Sequence, residues 1–63
     1  MTENKEIIKT MNTELEQLEE ENDKIIKALE RLPSNKQMHT RQRLFKNNQR
    51  MSVIRNLIDI YEN

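Results

Sequence analysis

The residues best suited to proton transfer or metal binding are a single histidine, His39, and a run of three glutamates, Glu19 to Glu21. Neither has the neighbours that chemistry needs. A general base must be held by an orienting group, yet His39 lies beside Thr40 and Arg41 in a basic stretch with no carboxylate within helical reach. One histidine without cysteines or paired carboxylates does not make a zinc site, and three consecutive glutamates read as a solvated acidic face. The absence of glycine removes the phosphate-cradling loops of nucleotide sites. No catalytic residue, cofactor or metal site is therefore expected, and the chain reads as a protein that works by binding.

The second chemistry-bearing stretch is Lys36 to Arg50, KQMHTRQRLFKNNQR, which mixes cations with amides. Gln42, Arg43, Lys46, Gln49 and Arg50 recur three or four apart, a spacing that suits phosphate contacts with amide readout of base edges. Arg41, Arg43, Lys46 and Arg50 are the candidate nucleic-acid contacts. Against this, only Phe45 could stack on a base, and the 11 basic residues of the whole chain are balanced by 11 acidic ones. The same stretch also reads as a solvated face or as internal charge partners.

Two heptad patterns must position these groups. The first reads Ile8, Met11, Leu15, Leu18, Asn22, Ile25, Leu29, Leu32, and the second Leu44, Asn47, Met51, Ile54, Ile58, Tyr61. Folding the chain back at Pro33 matches them position for position, from Ile8 with Tyr61 through Asn22 with Asn47 to Ile25 with Leu44. The expected fold is all-α, a single antiparallel hairpin over residues 1–63, with helix one at about 3–32, a turn at 33–35 and helix two at about 35–62. Thr2 or Asn4 suits the first N-cap, with Glu3 and Glu6 in the first turn where the helix dipole favours acids. Pro33 ends helix one, and Ser34 with Gln37 has the spacing of a capping box for helix two.

Charge selects the hairpin over a parallel zipper of helix one. A parallel dimer would set Glu14 against Glu19 of the other chain, whereas the hairpin lets Glu14 and Glu21 reach Arg50 and Glu19 approach Arg55. Asn22 and Asn47, facing one another, are expected to exchange hydrogen bonds and set the register, because a slip would leave each amide opposite an aliphatic side chain.

A two-helix hairpin of 63 residues buries too little apolar surface to stand alone comfortably, and there are no cysteines to staple it. Beyond the seam, Ile7, Val53, Leu57 and Ile60 form an apolar strip near the termini, and Ile26 with Phe45 a smaller patch on the opposite flank near the loop. Ile7, Phe45, Val53, Leu57 and Ile60 are thus the candidate protein-interface residues. A homodimer forming an antiparallel four-helix bundle is expected, and capture of a partner's amphipathic helix is the alternative use of that surface. Residues 1–32 carry a net charge of -4 and residues 33–63 a net +4. A reversed pair of hairpins would lay the basic loop end of one along the acidic end of the other.

No apolar run approaches the ~20 residues of a bilayer span, and the start MTENKE lacks a signal peptide's apolar stretch. The expectation is a soluble, unprocessed, cytoplasmic protein that does not enter membranes. Leu57, Ile58 and Tyr61 resemble the closing L-I-x-x-Y of the motif S-Q-E-L-D-x-L-I-x-x-Y in the small sporulation phosphatases, which act on response-regulator aspartyl phosphate and are themselves helical hairpins. Met51 to Arg55 stand where that family has S-Q-E-L-D, with Arg55 in place of the acid, so the resemblance implies a hairpin and the phosphatase activity does not carry over. The functional expectation is a small non-catalytic regulator or adaptor acting on another protein, of a kind often encoded by phages or other mobile elements. The alternative is an RNA- or DNA-binding bundle that uses residues 36–50.

Overall fold

In the computed structural model, which describes residues 2–62, the chain folds into two long helices, α1 (Thr2–Arg31) and α2 (Met38–Glu62), joined by a 3-10 turn at Ser34–Lys36. They pack against each other as a rod 49 Å long and 15 × 12 Å across. Helix α1 accounts for most of that length, since thirty residues at about 1.5 Å each span about 45 Å. No helix among the described residues is long and apolar enough to cross a membrane. Asn4 stands inside α1, so it does not cap the helix, and the cap assigned to Thr2 rests on a side chain outside those described.

The turn differs from the capping-box expectation. Pro33 takes an extended conformation (φ -66°, ψ 153°), which stops α1 because proline cannot donate and disfavours helix in the residue before it. Its carbonyl accepts from the Lys36 amide at 2.9 Å, so Ser34 opens a 3-10 turn and not α2. Helix α2 begins at Met38, and the Gln37 carbonyl accepts its first bond from the Arg41 amide at 2.8 Å. The Gln37 side chain turns back toward α1: its Nε2 donates to the carbonyls of Leu29 (3.0 Å) and Leu32 (2.9 Å). Two of the carbonyls that a helix end leaves without partners are satisfied this way, and the turn is tied to α1.

The seam lies where the heptads place it. Ile25, Met51, Ile54 and Ile58 are buried, with Ile54 only 1% exposed, and Leu15, Leu18, Leu29 and Leu44 are half-buried around them. Burial fades toward the chain ends. Ile8 is half-covered, and Tyr61, expected opposite it, is exposed, so the tight seam ends at Ile58.

Candidate interaction surfaces

At mid-length the seam turns polar. Asn22, buried in α1, accepts at Oδ1 from Asn47 Nδ2 (3.0 Å), the pairing that the mirrored heptads call for. The exchange is not reciprocal. Asn22 Nδ2 donates instead to Asn48 Oδ1 (3.0 Å) and to Met51 Sδ (3.3 Å), so the buried amide is satisfied by three residues of α2. Asn48 escapes a seam-based reading because it flanks the seam. The signal that could have found it is the doubled amide, Asn47 followed by Asn48, opposite a single Asn22.

Ion pairs run along both flanks and repeat the register. On one flank, Glu14 Oε1 accepts from Arg50 Nε at 2.9 Å and Glu21 Oε1 from Arg43 Nη2 at 2.7 Å. On the other, Glu19 and Arg55 stand 3.6 Å apart. Glu21 thus pairs with Arg43 and not with Arg50, because Arg43 lies one heptad nearer the loop, as Glu21 does relative to Glu14. The Arg43 guanidinium, and after it the Asn47 amide, hold the Glu21 carboxyl below its ordinary range, and the Glu14 carboxylate raises Arg50. All three bridges join an acid of α1 to an arginine of α2.

These pairings occupy much of the proposed nucleic-acid surface. Arg43 and Arg50 bind glutamates, and the Arg41 guanidinium sits on Gln37 Oε1 (Nη2 at 2.7 Å, Nε at 3.2 Å). Lys46 alone of the four has no ionic or hydrogen-bonded partner among the described residues.

The apolar candidates divide into two surfaces. Val53, Leu57 and Ile60 fall at i, i+4 and i+7 on α2, hence on one face. Val53 is 47% and Ile60 68% exposed, whereas Leu57 is half-covered. The offset that pairs Glu14 with Arg50 puts Ile7 level with Leu57, and Ile7 borders a shallow groove with Glu6, Thr10 and Met11. Phe45 does not join this strip. It lies eight residues before Val53, about 12 Å toward the loop and about 80° around the helix, and is 63% exposed. There it lines a second groove with Ser34, Gln37, Met38, Arg41 and Gln42. Met38, 69% exposed and one heptad before Phe45, was missed by the sequence reading, although that spacing marks it. Ile26 is exposed on the Glu19 flank.

His39 is exposed, and among the described residues no three His, Cys, Asp or Glu side chains converge on a point. No protein-family model matches the chain, and comparison with curated proteins and with solved structures likewise gives no match.

Proposed function

We propose that this hairpin is a small regulatory or adaptor protein that acts by binding another protein, not by catalysis, and that it self-associates through Ile7, Val53, Leu57 and Ile60. The observation that carries the reading is the distribution of apolar side chains on α2. One set fills the seam, and a second set, Met38, Phe45, Val53 and Ile60, stands outside it with nothing in the hairpin to cover it. Area agrees with this. The chain leaves 5422 Å² accessible, about 1,100 Å² more than the ~4,300 Å² that its mass of 7.7 kDa gives for a compact folded protein. That excess is comparable to the ~800 Å² one partner contributes to a standard interface.

Sedimentation equilibrium tests the self-association. Wild type is expected at the mass of two chains, and Val53→Asp with Ile60→Asp at the mass of one, with helical circular dichroism retained. A wild type that stays at one chain up to millimolar concentration contradicts the reading.

Nucleic-acid binding is the second reading, supported by a run of 28 residues, Arg31 to Ile58, that contains seven bases and no acid. The internal ion pairs of Arg43 and Arg50 count against it. A protein that fails to retain RNA or DNA oligonucleotides at ~50 mM salt, where phosphate contacts are strong, does not bind them in this way.

A further inference from the structure

We infer that two hairpins associate side by side in the same direction, termini with termini and loops with loops, through the flank that carries Glu14 and Glu21; this rests on the self-association proposed above. From termini to loop that flank presents Ile7 level with Leu57, then Glu14 with Arg50, then Glu21 with Arg43. A two-fold axis along the rod sets α1 of one copy against α2 of the other at every level. Ile7 then meets Val53, Leu57 and Ile60 of the second copy, and apolar surface covers apolar surface. Higher up, each Glu14 lies between two copies of Arg50 and each Glu21 between two copies of Arg43, because every acid of this flank is on α1 and every arginine facing it is on α2. The match of sign holds without a change of register.

The reversed arrangement, which the net charges of the two halves favour, fails on this flank. A two-fold axis across the rod sets α1 against α1 and α2 against α2 with their ends exchanged. Val53, Leu57 and Ile60 would face His39, Arg43 and Lys46 of the second copy, and Arg50 would face Arg50. Apolar side chains would cover charged ones, and like charges would meet at the centre. Within the ion-paired stretch, Glu14 to Glu21 on α1 and Arg43 to Arg50 on α2, charge on this surface is sorted by helix. The opposing term in the same-direction pair is the meeting of Lys24, Arg31, Lys36 and Lys46 from both copies toward the loops. Salt screens such exposed charges beyond about 8 Å at physiological ionic strength.

The absence of cysteine makes a clean test available. Asn35 is exposed in the turn, so Asn35→Cys carrying a nitroxide leaves the seam and both flanks intact. Double electron-electron resonance on this protein should give an inter-label distance inside roughly 30 Å, since bundle helices pack about 8–10 Å apart. A two-chain mass with loops separated by nearly the 49 Å length of the rod overturns the same-direction arrangement and leaves self-association standing. A one-chain mass for the labelled protein, with the unlabelled wild type also at one chain, overturns both.

Discussion

Helices α1 and α2 share one seam and differ in what surrounds it. Helix α1 has one apolar stripe with Ile7 and Ile26 exposed beside it, and elsewhere mostly charged and amide side chains, among them Glu16, Glu20, Asp23 and Lys27. Helix α2 carries apolar side chains around most of its circumference: Met51, Ile54 and Ile58 inward, Val53 and Ile60 outward, Phe45 and Met38 toward the loop. An amphipathic helix needs one neighbour, and a helix that is apolar all round needs more than one. The contrast teaches that one neighbour covers most of the apolar surface of α1, whereas α2 keeps apolar surface exposed after the seam is filled.

The strongest way to break this comparison is inside the seam. Ile54→Ala removes the most buried side chain of α2 and should cost about 2–4 kcal/mol, enough to unfold much of a hairpin this small, measured as lost ellipticity at 222 nm. Gln17→Ala, on the exposed face of α1, should leave the melting curve in place. If both changes were equally harmless, the seam would not be what holds the helices together.

A smaller effect of opposite sign is expected at the polar layer. Replacing Asn22 and Asn47 together by leucine exchanges a satisfied amide cluster for apolar packing, and should raise stability by about 1–2 kcal/mol while loosening register or oligomer choice. Denaturant melts and the spread of inter-label distances report the two effects separately. A destabilised variant with a single register would contradict the specificity role of the amides.

Gln37→Ala tests whether the turn is held from α1. Losing both bonds to the Leu29 and Leu32 carbonyls should lower stability by about 1 kcal/mol, seen in the thermal midpoint, with no change in oligomer mass. The smallest effect is at Glu21. Its folded-state pKa lies below the ordinary 4.5, so its contribution is complete above that value and is lost as pH falls through the folded pKa. Both partners are solvent-exposed, so the melting temperature should dip only slightly in that acidic window, less at high salt, and Glu21→Gln should remove this part of the dip.

Much of the fold was legible because a hairpin's register follows from one constraint. Alternating steps of three and four name the seam, and the mirror about Pro33 pairs Asn22 with Asn47 and Glu14 with Arg50, whereas Glu21, expected on Arg50, is found on Arg43. The turn was not legible to the same degree. Ser34 and Gln37 have capping-box spacing, and only three-dimensional proximity reveals that the Gln37 amide is nearer the carbonyls ending α1. Asn48 and Met38 were missed for a related reason: a heptad assignment records who lies in the seam and says less about side chains that reach into it or stand behind it. The division of the interface candidates, with Phe45 apart from Val53, Leu57 and Ile60, was legible in their spacing.

The central claim is that the outside of α2, with Ile7 of α1 level with it, and not the outer acidic face of α1, is a contact surface. Backbone amide shifts of ¹⁵N-labelled protein, followed from micromolar to millimolar concentration, test it most directly. The account predicts concentration-dependent shifts that cluster at Ile7, Val53, Leu57 and Ile60, while Glu16, Glu20 and Asp23 on the outer face of α1 stay fixed. Shifts centred on that acidic face, or spectra that do not change with concentration, would contradict it.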